Sequence, residues 1–272
     1  MENALRQIIE KIVETADPER IYLMTATHST RQVESVFTAP LQWHETEHYN
    51  LLVILKGGAD TEENIRMQDR IEQRCQHIIP TTALVLPFGM FNTYMAQGHA
   101  FIRKAASPEK LLHDAKTKEL APLGVPDLEA WEERNVKKYS QWYENGICFL
   151  VAYDLFMVRK EYRMAAFNLH QATEQFFKSI FQAVTGFSLT THNLHTLHRY
   201  TRGFARELAN LFPSHTNRLR EGLRTLVKSY SDSRYDESFK IQYEELTALH
   251  AEVQKLYLIT RNIVKRASGK SA

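Results

Sequence analysis

Gln171, Glu174 and Lys178 recur at steps of three and four, so a helix over 161–185 would carry them as one polar row. A carboxylate four residues before an ammonium is an i,i+4 pair, which on a helix face in water adds about 0.3 kcal/mol. Phe177 and Phe181 flank the row, and a charged row beside aromatic rings fits a groove or an interface as well as open solvent. Downstream, His192, His195 and His198 repeat at steps of three, which drift around a helix, and no carboxylate matches their spacing. Zinc ligands pair more cleanly, so no metal is expected. Thr191 is expected to cap the helix after Gly186, placing His192 in a first turn whose amides favour an anion. Tyr230-Ser231-Asp232-Ser233-Arg234-Tyr235-Asp236 follows a later helix. Arg234 there is either a bidentate donor to an anion or a tether between helices. Cys75 and Cys148 fall in helical patterns and read as packing residues. No Ser/His/Asp set and no glycine loop for phosphate stands out.

The elements that must position these residues divide into two kinds. Residues 4–15 space Leu5, Ile8, Ile9, Ile12 and Val13 as a short amphipathic helix. Two strands follow, Ile21–Met24 and Leu51–Leu55, separated by a polar turn through Arg31. A helix over 60–75, capped by Thr61 and with Ile65, Ile71 and Cys75 among its apolar positions, leads to a third strand at 81–86. Prolines 122 and 126 with Gly124 mark a boundary, after which only helical patterns remain, over 128–159, 161–185, 192–211, 216–230 and 243–267. The expected organisation is an α+β domain over 1–121 and an all-α bundle over 126–272.

Composition is consistent with two ordinary cores. The 272 residues are 43% hydrophobic and 24% charged with only 10 Gly and 8 Pro, which excludes collagenous and largely disordered classes. No apolar run approaches the roughly 18 residues of a membrane span. Met1-Glu2-Asn3-Ala4 does not begin like a secretory signal, and two cysteines make no disulfide framework, so a cytoplasmic protein is expected. The net charge of +2 conceals a balance of −3 up to Val125 and +5 after it. After Glu252 only cations occur: Lys255, Arg261, Lys265, Arg266 and Lys270. They read as a helix end complementing its dipole or as a basic edge for RNA or nucleotide phosphate.

The segment Ala166-Phe167-Asn168-Leu169-His170-Gln171-Ala172-Thr173-Glu174 through Lys178, the His192-Asn193-Leu194 step after a glycine, and the Tyr230…Arg234-Tyr235 turn together resemble a HEPN domain over about 130–267. That resemblance implies a helical module tied to nucleotide binding or RNA cleavage. It is closest to the non-cleaving branch that includes the C-terminal domain of sacsin. Cleaving members carry an Arg followed about five residues later by a His, a general acid/base imidazole. Here Arg234 is followed by Phe239, Lys240 and Ile241 at that spacing. The nucleotide- or anion-binding set implied is Gln171, Glu174, Lys178, His192, Tyr230, Arg234 and Tyr235.

The succession of elements over about 4–105 resembles a minimal nucleotidyltransferase domain, a frequent companion of HEPN modules. Active members hold triphosphate with a Gly-Ser after the first strand and metal ions with two Asp one residue apart at the start of the second. Thr25-Ala26 and the pair His48 and Asn50 stand at those positions, and Mg²⁺ requires harder oxygen ligands than an imidazole and an amide. Glu45 and Glu47 share a strand face with each other but not with Asn50. The resulting expectation is a non-catalytic nucleotide- or RNA-binding protein with a degenerate nucleotidyltransferase-like domain, no resident cofactor, no membrane partner, and pairing of two copies through the helical bundle. The alternatives are an enzyme, either a divergent nucleotidyltransferase or a ribonuclease using other residues, and a purely structural module.

Overall fold

The computed structural model describes residues 2–35, 38–57, 61–125, 128–212, 223–230 and 239–268. They form two compact units, Met1–Asp127 and Leu128–Ala272. The first is a mixed sheet with helices: α1 (Glu2–Ala16), β1 (Pro18–Ser35), β2 (Thr38–Leu55), α2 (Thr61–Cys75), β3 (Thr81–Pro87), α3 (Phe88–Ala96), α4 (Ala100–Ala105) and β4 (Leu111–Asp114). Strand order is β3-β2-β1-β4. β1 and β2 are antiparallel, and β3 lies parallel to β2 after the α2 crossover. Leu51, Val53, Ala83 and Val85 pack with Ile8 and Ile12 of α1 and Ile71 and Cys75 of α2. On the opposite face Tyr22 stacks on Phe91 of α3 at 6.0 Å. Cover on both faces is why Leu51–Leu55 is an unbroken apolar run rather than an alternating one.

Three expectations for this unit need correction. The polar stretch Thr25–Arg31 is not a turn: β1 continues to Ser35, paired with β2 from Thr25↔Asn50 to Ser35↔Thr38. Its threonines and Val33 favour extended backbone, and a two-stranded ribbon tolerates polar residues on both faces. β2 likewise begins at Thr38, well before Leu51. Ile65 is exposed, unlike Ile71 and Cys75.

The second unit is wholly helical among its described residues: α5 (Leu128–Val158), α6 (Tyr162–Thr185), α7 (Leu194–Thr201), α8 (Arg206–Ala209), α9 (223–230) and α10 (Tyr243–Ala267). The helix expected over 192–211 is two short ones, broken after Thr201, where Phe204 N–H closes a turn on the Thr201 carbonyl at 2.9 Å. Of the pattern over 216–230, 216–222 lie outside the described residues. α6 is buried on nearly every side, with Leu169, Phe176, Phe177 and Ile180 in a core shared with Leu197, Leu226, Leu249 and Val253. Val184, expected in its apolar stripe, is exposed near the helix end. α6 stops at Gly186, whose φ of 74° places its N–H on the Gln182 carbonyl at 2.8 Å. No helix among the described residues is long and apolar enough to cross a membrane.

α5 meets α6 through Tyr139, Tyr143, Gly146, Leu150 and Tyr153, again at steps of three and four. Ser179 Oγ donates to the Tyr139 carbonyl at 2.8 Å, and Gln182 Nε2 donates to Asn135 Oδ1 at 2.9 Å. Gly146 is where the two helices need a missing side chain, since an added Cβ would lie 2.5 Å from Cε1 of Phe176. Gly146→Ala gains helix propensity of about 1 kcal/mol. Overpacking against a buried ring costs about 1–3 kcal/mol. The expected outcome in urea unfolding is a net loss of stability, and a gain would show that Phe176 moves freely.

A buried carboxylate and the edge it organises

Glu174 lies midway along α6 with its side chain 2% exposed, and Lys178, one turn later, is 5% exposed. Lys178 Nζ donates to Glu174 Oε1 at 2.9 Å, and His192, from the segment before α7, donates to the same oxygen through Nδ1 at 2.9 Å. One turn earlier on α6, His170 Nε2 stands 3.7 Å from Oε2, in ion-pair range but beyond a hydrogen bond. His170 is held by α9, its Nδ1 donating to the Leu226 carbonyl at 2.7 Å. On the other side, Lys178 Nζ lies 5.2 Å from the ring centre of Trp142 on α5, a cation–π contact. The i,i+4 pair is therefore not the solvated one of an open helix face.

Burial pushes the Glu174 carboxyl up, but His170, Lys178 and His192 outweigh it and bring it down to about 2. The group is a carboxylate at neutral pH and can only accept, so His192 Nδ1 carries the proton in their bond and Nε2 is left for another partner. His192 is 61% exposed. Tyr230, the last residue of α9, is half-buried beside it, nearly parallel to the His192 ring at 6.3 Å and 5.0 Å from the His170 ring. The arrangement presents one oriented imidazole next to an aromatic face, which suits hydrogen bonding and stacking to a ligand.

The structure thus brings together Glu174, Lys178, His192 and Tyr230, with Gln171 half-buried on the same row of α6. Lys178 is spent on Glu174 rather than open to an anion. Arg234 and Tyr235 lie outside the described residues. His192 is not in a first turn capped by Thr191. The cap is Asn193, whose side chain accepts from the His195 and Thr196 amides at 2.9 and 3.2 Å, while Thr191 Oγ1 accepts from Asn193 N–H. His170 and Trp142 were not singled out from sequence. His170 stands four residues before Glu174 and was open to the same spacing argument, whereas nothing local marks Trp142. His198 is not beside His192: its Nε2 donates to the Leu208 carbonyl at 3.0 Å, and burial pushes it down to about 4.

In the first unit, Thr25 and Asn50 are cross-strand partners, and Asn50 Nδ2 donates to Thr25 Oγ1 at 2.8 Å. His48 Nε2 and Thr82 Oγ1 share a hydrogen bond of 2.9 Å, and both side chains are buried. Ala26 is exposed beside them in the chain. Glu47 lies on the other side of β2, where it accepts from the Tyr49 hydroxyl at 3.5 Å; the side chain of Glu45 lies outside those described. Among the described residues no three His, Cys, Asp or Glu side chains gather as a metal-ion site. Cys75 is a packing residue whose thiol burial pushes up to about 11, but Cys148 is exposed and so is not one.

A depressed carboxyl stabilises the fold above its unfolded value near 4.3 and loses that contribution as pH falls towards 2. The wild-type protein is expected to lose stability through that window, and Glu174→Gln to flatten this part of the curve in pH-dependent urea unfolding. At pH 7 the same variant leaves Lys178 buried with a weaker partner and costs about 3–5 kcal/mol. Adding Lys178→Met is expected to recover much of the loss; no recovery would assign the cost to His170 and His192 instead.

No curated protein matches the chain in a comparison of sequences. The family model described as the HEPN domain matches residues 139–268. That span runs from the middle of α5 to the end of α10 and includes Trp142, His170, Glu174, Lys178, His192 and Tyr230. The match supports a HEPN domain over residues 139–268, just under half of the chain, and suggests an RNA- or nucleotide-related function or binding.

Proposed function

We propose that the protein binds a nucleotide or RNA through its helical unit without cleaving it, as in the sacsin-like branch. The observation that carries this reading is the exposed His192 imidazole, oriented by a buried carboxylate and set beside Tyr230. Arg234 follows Tyr230 by four residues and supplies the cation for a phosphate, since Lys178 is neutralised by Glu174. Glu174, Lys178 and His170 act as positioning residues. The positions about five residues after Arg234 hold Phe239, Lys240 and Ile241, so the imidazole of cleaving members has no counterpart there. The N-terminal unit is read as a nucleotidyltransferase-like scaffold without its chemistry. Its helix–strand–strand–helix–strand order supports this, as do Thr25, His48 and Asn50, none of them a carboxylate, at the positions of its ligands.

A second copy of the chain is proposed to pack on α5. What supports this is an exposed row of Cys148, Val151, Leu155 and Val158, at steps of three and four on the side away from Tyr139, Leu150 and Tyr153. Leu155→Glu is expected to convert a dimer to a monomer in light scattering without lowering the melting temperature. A monomeric wild-type protein would remove the pairing.

Binding is tested with the full-length protein, a short labelled single-stranded RNA and labelled ATP. His192→Ala and Arg234→Ala are each expected to weaken binding about tenfold, the scale of one charge-assisted hydrogen bond. The RNA is expected to remain intact on a denaturing gel. Affinity unchanged in both variants would dismiss this site, and cleavage lost in His192→Ala would replace binding by catalysis.

A further inference from the structure

The helical unit carries a concentration of unpaired cations on α7 and α9. Residues 195, 199 and 202 follow one another at steps of four and three, so His195, Arg199 and Arg202 share one side of α7. α9 brings Arg224 to the same place: partial burial, then the charges of Arg199 and Arg224, push the His195 imidazole down. His195 and Arg224 are exposed, and Arg202 is half-buried. Arg199 donates to Thr196 Oγ1 at 3.4 Å. Among the described residues neither Arg202 nor Arg224 makes a hydrogen bond or an ion pair. Glu207, the next acid in the chain after Arg202, pairs with neither, and Glu245 is bound by the Thr225 hydroxyl at 3.0 Å. A half-desolvated guanidinium among like charges costs energy that the fold does not recover and that an incoming anion would.

The composition of this surface favours carboxylates as that anion. Sites for single-stranded nucleic acid combine cations with exposed rings on which bases stack. Among the described residues of α7, α8 and α9 no Phe, Tyr or Trp is exposed. Tyr200 of α7 is buried against Phe181 at 5.7 Å, and Phe204 after it packs on the same ring at 6.0 Å. Guanidinium forks need no such platform and match a carboxylate with two parallel hydrogen bonds. From His195, beside Arg224, to Arg202 is seven helical residues, about 10 Å, a length that about three residues of extended chain cover. An acidic segment with carboxylates at that separation reaches both arginines.

We propose that this side of α7, with Arg224 of α9, docks an acidic segment of a partner protein, its carboxylates held by Arg202 and Arg224. The proposal does not depend on the ligand of the His192 edge. Full-length protein is titrated with a labelled short peptide of Glu and Ser, a Gln and Ser peptide of the same length, and a labelled single-stranded RNA. The Glu peptide is expected to bind, more weakly as salt rises, and the Gln peptide not to. Arg202→Gln and Arg224→Glu are each expected to weaken it about tenfold, and His192→Ala to leave it unchanged. Arg224 is exposed and unpaired, so its variant is expected to keep the melting temperature. Bound carboxylates favour the imidazolium, so the His195 ring resonances are expected to titrate at higher pH with the Glu peptide present. No binding of the Glu peptide at millimolar concentration overturns the proposal, as does binding that survives Arg202→Gln combined with Arg224→Glu. An unmoved His195 would place the peptide elsewhere. RNA binding lost in Arg224→Glu, with no binding of the Glu peptide, would give the surface to nucleic acid instead.

Discussion

The helical unit is organised around a carboxylate that has been taken out of water. Burying an ionised Glu174 costs several kcal/mol before any partner is counted, so its surroundings must return that energy through directed contacts. Three chain segments meet to do so: α6 through His170 and Lys178, the segment before α7 through His192, and α9 through the Leu226 carbonyl that holds His170. An apolar side chain of similar volume would pack as well. What the charge adds is direction, because each donor must point at one oxygen or the other. The exposed His192 at this edge takes its orientation from a group that solvent hardly reaches.

This constraint separates positioning from binding. Lys178 looks from its spacing like a cation for a ligand, yet its ammonium is shared between Glu174 and the Trp142 ring. A phosphate arriving there would have to displace a carboxylate already brought down to about 2. Cations available to an anion are found where no carboxylate faces them. Lys160 and Lys240 form no ion pair with a carboxylate among the described residues. The balance of +5 after Val125 therefore overstates what the Glu174 cluster can attract and understates the ends of the bundle.

The parts of this fold that were legible in sequence are those governed by local pattern. The stripe Ala165, Leu169, Thr173, Phe176 and Ile180 and the stop at Gly186 need only helical period and a left-handed cap, and both are present. β3 and the apolar core of β2 were legible for the same reason. Extending β1 through Thr25–Arg31 depended on a partner strand that local polarity does not reveal. Asn193 takes the cap rather than Thr191 because its amide oxygen, one bond further from the backbone than a threonine hydroxyl, reaches two amides, a choice that propensity does not resolve. Exposure at Ile65, Cys148 and Val184 depends on which side of a helix has a neighbour. The burial of Glu174 and Lys178 belongs to the same class: spacing identified the pair, but only the packing of α5, α7 and α9 around α6 decides that it is dry.

The same rule read in the opposite direction bears on the first unit. A polar cluster on a covered sheet face persists without a counter-charge where its members hydrogen-bond one another. Thr25 pairs with Asn50 and His48 with Thr82 across three strands. Two aspartates at positions 48 and 50 would repel each other at this depth and would require a cation or a shared proton. With an imidazole and an amide the same positions close on hydroxyl groups of β1 and β3. These hydrogen bonds tie β1, β2 and β3 together on that face, while Asn50 Oδ1 is buried and has no hydrogen-bond partner among the described residues.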